Sequence, residues 1–223
     1  AVDVDGRLLR ARRAVVLATG STAAVPPVPG LAEARPWTNV EATTSKRVPE
    51  RLIVLGGGVV GVELGQAWAT LGARVTIVEA LPRLLAREEE FASRLVHASL
   101  VERGIDVRVG DAAVAVERTP EGVVLQLASG ASVTGDELLV AVGRRAATEQ
   151  LGLETVGLEP GKPVPVDETM RVPGLAWLYA VGDVNGHALL THMAKYQARV
   201  AAEQILGRDI RLDPLADGAL APR

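Results

Sequence analysis

Three glycines and one glutamate carry the densest chemistry in this sequence. Gly56, Gly58 and Gly61 follow the charge-free run Leu52-Ile53-Val54-Leu55, and Glu79 closes the next apolar run, Arg74-Val75-Thr76-Ile77-Val78-Glu79. A glycine at 56 permits a tight turn out of a strand, and one at 58 lets a phosphate lie against bare backbone. A glycine at 61 lets the next helix pack closely on the sheet, with Gly65 one turn further along the same face. That helix, predicted over about 59–71, directs its free N–H groups and the positive end of its dipole at a phosphate. Glu79 ends the second strand, where its two oxygens can accept hydrogen bonds from a ribose diol. A 2′-phosphate would meet the same negative charge, so NAD(H) is favoured over NADP(H). A glycine-rich turn that serves only packing is the bland alternative. The flanking strand, helix and acidic residue together oppose it.

The elements that must position these residues can be read outward from the turn. Residues 52–55 are short, partly β-branched and uncharged, as in a strand of a parallel sheet buried on both faces. The stretch 52–73 is largely apolar, but Glu63, Gln66 and three consecutive glycines keep it short of the ~18–20 residues of a membrane span. Upstream, residues 1–19 read as two strands around Asp5-Gly6 and a buried run, Ala14–Ala18, stopping at Thr19-Gly20-Ser21. Residues 22–36, rich in proline and alanine, read as an extended connector. Downstream, Glu88-Glu89-Glu90 opens a helix whose apolar positions Phe91, Leu95, Val96, Leu100 and Val101 follow helical spacing. A short strand at 105–109 precedes three alternating segments, about 112–118, 122–128 and 131–134, which form an antiparallel meander. Residues 137–142 are another buried strand ending at Gly143-Arg144, 145–175 are irregular, and Trp177–Val181 is a strand ending at Gly182-Asp183. A final helix runs from about Leu190 to Leu206.

Composition narrows the class. With 48% hydrophobic and 23% charged residues, the chain has the balance of a globular protein. Aromatics make up only 3%, so the core must be Val, Leu, Ala and Ile, which suits buried parallel strands. A net charge of −3 gives no basic excess for nucleic acid or an anionic membrane. The absence of cysteine excludes disulfides, thiolate metal sites and cysteine chemistry within these residues. His97, His187 and His192 are too scattered for a metal cluster, and Ala14–Ala18 is too short for a signal peptide. The expectation is a cytoplasmic chain with no membrane span.

Four motifs in order, Ala18-Thr19-Gly20-Ser21, Gly56–Glu63, Gly143-Arg144 and Ala180-Val181-Gly182-Asp183, resemble the flavin-dependent pyridine nucleotide-disulfide oxidoreductases. Trp37-Thr38-Asn39, Val48-Pro49-Glu50-Arg51-Leu52 and Leu190-Thr191-His192 are most similar to the lipoamide dehydrogenase and mercuric reductase-like branch. The resemblance implies an α/β fold in which a Rossmann-like NAD domain, 47–145, is inserted into a partial FAD-binding domain formed by 1–46 and 146–210. Residues 211–223 then lead towards a dimerisation domain. It carries over as NAD-binding residues Gly56, Gly57, Gly58, Val59, Val60, Gly61, Glu63, Glu79, Val114 and Gly143. For FAD it carries over Thr19, Gly20, Ser21, Asp183, Leu189, Leu190, Thr191 and His192. It also implies a homodimer for the whole protein.

Several of these positions have a reading of their own. Asp183 follows a buried strand at a glycine, where its carboxylate is either a flavin ribityl acceptor or a turn aspartate. The helix starting near Leu190 can aim its dipole at a flavin pyrimidine edge. His192 is divided between a satisfied helix-start histidine and a flavin neighbour. Glu63 reads as an exposed helix carboxylate. In the family the matching glutamate lies near the nicotinamide and pairs with a lysine that has no counterpart here, since Lys195 reads as a solvated helix residue.

The sequence departs from the family in three respects. The first FAD fingerprint, the redox cysteine pair and the carboxyl-terminal interface domain with its His-Glu pair have no counterpart, which leads to the expectation of a piece of a longer protein. On that view, the parent passes hydride from NADH to FAD and on to a disulfide or other acceptor. This portion binds NAD(H), holds FAD weakly, and is by itself inactive. A stand-alone NAD-binding or regulatory module without catalysis is the alternative. A non-nucleotide interaction protein on a doubly wound scaffold is a distant third.

Overall fold

The computed structural model describes residues 1–212. The expected linker at 211–223 therefore lies, beyond Leu212, outside the described residues. Along the chain the strands are β1 (Val2–Val4), β2 (Arg7–Leu9), β3 (Val15–Leu17), β4 (Ser21–Ala23), β5 (Arg51–Leu55), β6 (Arg74–Glu79), β7 (Asp106–Val109), β8 (Ala113–Thr119), β9 (Gly122–Leu127), β10 (Ser132–Gly135), β11 (Glu137–Val140), β12 (Arg144–Ala146) and β13 (Leu178–Ala180). The helices are α1 (Asn39–Thr44), α2 (Val59–Thr70), α3 (Glu90–Glu102) and α4 (Thr191–Ile205), with short 3-10 turns at Leu153–Val156 and Gly182–Asn185. The chain divides into two compact units. One is the continuous segment Ala23–Arg144, and the other combines Ala1–Thr22 with the chain from Arg145 onward.

In the continuous unit, β11, β5, β6 and β7 form a four-stranded sheet in that order, and every pairing is parallel. The strand period of two sorts β5 cleanly. Leu52 and Val54 face a core containing Val62 and Trp68 of α2, Leu100 of α3, and Val75 and Ile77 of β6. Ile53 and Leu55 face the opposite core, closed by Val116, Val123, Leu125, Leu127 and Val133 of the meander. That is why residues 52–55 are uniformly apolar: both faces are covered. The meander is antiparallel with β9 in the middle.

Two local expectations are revised. Residues 22–36 are more than an extended connector: turns at 28–35 place Leu31 and Ala34 in the meander-side core, 0% and 1% exposed, so this segment packs with the continuous unit. The helix expected after Glu88 forms, but Phe91, Leu95 and Val101 lie on its exposed face. Its buried stripe is Ser93 and Leu100, with Val96 packed alongside. Ser93 turns inward because its hydroxyl donates to the Leu84 carbonyl at 2.6 Å. At the end of this unit, Ala24 donates its amide hydrogen to the Gly143 carbonyl at 2.9 Å, which brings the unit's entry and exit together.

In the second unit, β1 and β2 form a hairpin around Asp5 and Gly6, both at positive φ, as a two-residue primed turn requires. Strands β3 and β13 pair in parallel. Leu178 and Ala180 face a core with Leu153, Val164, Val172 and Val184. Tyr179 and Val181 face another with Met170, Leu212 and, from α4, Val200 and Ala201. Among the described residues, no helix is long and apolar enough to cross a membrane.

Candidate nucleotide-binding site

The turn between β5 and α2 is built from four glycine environments. Gly56 takes φ +111°, and a β-carbon there would lie 2.5 Å from the Ala141 carbonyl oxygen at the exit of β11. Only glycine meets both demands. Gly61 closes the first turn of α2 against the loop, since a β-carbon on it would sit 1.9 Å from the Gly56 carbonyl oxygen. Further along, Gly65 allows Ile77 and Val75 to touch the helix backbone. Gly58 is different. It is the extended N-cap of α2, it is exposed, and a β-carbon on it would meet nothing within 4 Å. The open space leaves the backbone accessible to an anionic group, and among the described residues no side chain caps the helix N-terminus. Val59 and Val60 flank the opening with exposed side chains.

Gly57 is clasped between strands and loop. Its amide hydrogen is donated to Glu79 Oε2 at 2.6 Å, and its carbonyl accepts from the Leu85 amide at 2.8 Å. Leu84, completely buried, fills the space a side chain at 57 would need. The second carboxylate oxygen of Glu79 accepts from the Leu81 amide at 2.7 Å. Both oxygens are thus oriented by backbone, and each retains a lone pair for a further donor. A carboxylate held this way, partly exposed at the carboxyl end of β6, suits paired hydroxyls and repels a phosphate.

The remaining residues carried over for the dinucleotide lie around this turn to different degrees. Gly143, at φ +140°, follows the Ala141-Val142 segment that touches Gly56. Glu63 lies exposed on α2. Val114 sits at a bulge in β8, where the register shifts between Ala113 and Ala115, and its side chain is exposed. β8 belongs to the meander, which packs on the sheet face opposite α2.

The other unit brings together part of its own set. Ser21 donates its hydroxyl to Asp183 Oδ2 at 2.5 Å, across 162 residues of sequence. Gly20 turns the chain at φ +72°, beside exposed Thr19. Leu190 is the N-cap of α4 with no side-chain cap hydrogen bond, and Leu189, Thr191 and His192 are exposed around that open helix end. A dipolar helix terminus and a carboxylate fixed by a hydroxyl are groups suited to polar edges and hydroxyls of a flavin.

Two residues of this unit escaped sequence reasoning. Gln197 is wholly buried, and its Oε1 accepts from the Gly182 amide at 2.7 Å and from Asn185 Nδ2 at 2.9 Å. Asn185 Nδ2 also reaches the Ala180 carbonyl, and its Oδ1 accepts from the His187 amide. Together they brace the 3-10 turn that carries Asp183. The signal was available: Gln197 interrupts the otherwise apolar stripe Met193, Val200 and Ala201 on α4.

Known proteins share this fold and much of this sequence. The family model described as pyridine nucleotide-disulphide oxidoreductase matches residues 2–199. A dihydrolipoyl dehydrogenase of Thermus scotoductus is 36% identical over 220 residues, 95% of this chain and 47% of that protein. A mercuric reductase of Shigella flexneri is 36% identical, over 89% of this chain and 36% of the enzyme. The crystal structure of LpdA from Mycobacterium tuberculosis superposes with a TM-score of 0.79 at 31% identity, covering 91% of this chain and 44% of that one. The HOCl-induced flavoprotein disulfide reductase RclA from Escherichia coli gives a TM-score of 0.81 at 27% identity, over 88% and 46%. The chain spans about half, or less, of the length of these relatives. A match over nearly all of its own length, together with the glycine turn bonded to Glu79, shows that it belongs to the pyridine nucleotide-disulphide oxidoreductase family.

Proposed function

We propose that this chain is the NAD(H)-binding portion of a flavin-dependent oxidoreductase that takes hydride from NADH through FAD to a disulfide or another acceptor. The family uses FAD and NAD(P)H. The observation that carries the reading is the Gly57–Glu79 bond beside the open backbone of Gly58. Residues 47–145 supply the dinucleotide site. Gly56 to Gly61 and the N-terminus of α2 receive the pyrophosphate, Glu79 the adenosine ribose, and Glu63, Val114 and Gly143 the rest of the cofactor.

Of the flanking segments 1–46 and 146–210 that the resemblance assigns to the flavin, those in the unit containing Ala1–Thr22 and the chain after Arg145 hold part of it. Asp183, oriented by the Ser21 hydroxyl, accepts from a ribityl hydroxyl, and Thr19 and Gly20 line the same end of β3. The open N-terminus of α4, from Leu189 to His192, directs its dipole at the pyrimidine edge and favours the negative charge that gathers there on reduction. The flavin, when bound, supplies the two-electron chemistry between nicotinamide and acceptor. The whole protein is a homodimer on this reading.

A titration with NADH and NADPH tests the proposal. Trp68 lies on α2 and packs against Trp37, with ring centroids 5.5 Å apart, so two of the chain's three tryptophans report on this unit; a Trp177→Phe background removes the emission of the third. NADH should quench that emission at lower concentration than NADPH. An NADPH preference would overturn the role of Glu79, and a response to neither would overturn the site.

A further inference from the structure

The loop between β6 and α3 contains an arginine whose work is not explained by packing alone. Arg83 is half-buried. Its Nη1 donates to the carbonyls of Leu85 at 3.1 Å and Glu88 at 3.0 Å, and its Nη2 to the carbonyl of Ala86 at 2.7 Å. Three backbone acceptors around one planar fork need a guanidinium; a lysine ammonium has neither the reach nor the spread to hold all three. The fold also tolerates strain here, since Leu85 takes φ +48°, a left-handed conformation costly for a residue with a branched side chain.

The strained, arginine-wrapped turn leads straight to the glycine site. Leu85 presents its amide to the Gly57 carbonyl at 2.8 Å, while Gly57 presents its own amide to Glu79 at 2.6 Å. Leu84 caps the same glycine, its carbonyl held by the Ser93 hydroxyl. Gly57 is therefore gripped at both polar atoms, on one side by the carboxylate and on the other by the loop that Arg83 folds.

We propose that Arg83 is a positioning residue for nucleotide selectivity: by wrapping the carbonyls of residues 85–88 it presses the loop onto Gly57, and so fixes the Glu79 carboxylate for ribose hydroxyls. The inference rests on the reading of this turn as the NADH site. It has a second side. Arg83 is already engaged by three carbonyls, so it offers a 2′-phosphate no compensating fork against the repulsion from Glu79.

The test is a double-mutant cycle read by nucleotide binding to the whole chain, with Glu79→Gln, Arg83→Gln, and the two combined. Arg83→Gln should weaken NADH about tenfold and NADPH by less than about threefold, the size expected when a charge-assisted hydrogen bond loses its alignment. In the Glu79→Gln background it should change the NADH:NADPH ratio no further. Equal weakening of both nucleotides in both backgrounds would reduce Arg83 to a structural residue and overturn the proposal, as would an unchanged ratio in Arg83→Gln. If Arg83→Gln does not fold, Arg83→Lys carries the same comparison, because it keeps the charge and loses the fork. Wild-type binding judges the NADH site itself, so the two readings fail separately.

Discussion

The carboxylate of Glu79 accepts the amide hydrogen of Gly57 at 2.6 Å across a separation of 22 residues. The bond ties the end of β6 to the turn that leaves β5, so the residue proposed to select the nucleotide also shapes the loop proposed to cradle it. Replacing Glu79 with glutamine removes the charge and one of its two acceptors, because an amide nitrogen cannot accept the N–H of Gly57 or of Leu81. Glu79→Gln should lower NADH affinity about tenfold, leave NADPH unchanged or slightly tighter, and bring the two within about threefold of each other. Parallel titrations of both nucleotides measure it.

Gly58 and Gly61 should respond oppositely to the same added methyl. Gly58→Ala meets open space at an extended φ, so melting temperature should change little while NADH affinity falls by at least about tenfold, because the new β-carbon occupies the phosphate approach. Gly61→Ala forces a β-carbon to 1.9 Å from a carbonyl oxygen. Its cost should be about 2–4 kcal/mol in folding stability, with binding lost as a consequence. Thermal melts alongside NADH titration separate the two outcomes. Comparable destabilisation by both variants would show that Gly58 is structural.

Gln197→Leu should destabilise the unit that carries Asp183. It strips the buried Gly182 amide and the Asn185 side chain of their shared acceptor, a loss of about 1–3 kcal/mol. Part of that loss is offset, because Gln197 Nε2 is itself buried without a hydrogen-bond partner among the described residues. Hydrogen exchange should quicken at Gly182 and along α4, while the amides of β5 and β6 keep their protection.

Acid should weaken the protein through two bound carboxylates. Burial pushes Asp136 up, but the hydrogen bonds and charge of Arg51 outweigh it and hold the carboxyl below its ordinary range. Burial likewise opposes, and the hydroxyl and amide of Thr169 with the Arg171 amide and charge overcome, the same effect at Asp167. A folded-state pKa lower than the unfolded one, which is about 3.9 for aspartate, gives stability that is present above that pH. It is lost as the pH falls through the folded-state value. Asp136→Asn should therefore flatten the acid limb of a stability–pH curve. At neutral pH it should cost no more than about 1 kcal/mol, since the Arg51 and Asp136 side chains are 37% and 34% exposed.

The sequence made the glycine turn legible because each of its demands is local: a positive φ, a close approach and an open face all fall on named glycines. β5 was equally clear, since a strand covered on both sides must be apolar at every position. α3 was visible as a helix but not in its orientation. Phe91 and Leu95 mark the apolar spacing, yet Ser93 faces inward, because a hydroxyl bound to the Leu84 carbonyl satisfies burial as well as a methyl does. The role of Arg83 was beyond reach for a related reason: its partners are backbone carbonyls, which leave no side-chain signature at the other end of the bond. Gln197 did leave a signal, as a polar residue within the apolar stripe of α4. Leu31 and Ala34 lay inside a proline-rich stretch whose composition suggests extension, and only the meander above them supplies the core they enter.

The hydrogen bond between Ala24 and Gly143 has a consequence for how the chain reaches its native state. The unit containing β3 and β13 is assembled from two stretches separated by the whole of the continuous unit. Joining them through an unfolded loop of that length would cost about 4 kcal/mol of chain entropy. Once the continuous unit has folded, its two ends are already side by side, and most of that cost has been met by its own core. β3 and β13 therefore pair at little further cost in chain entropy wherever the sheet built around β5 has already closed the loop.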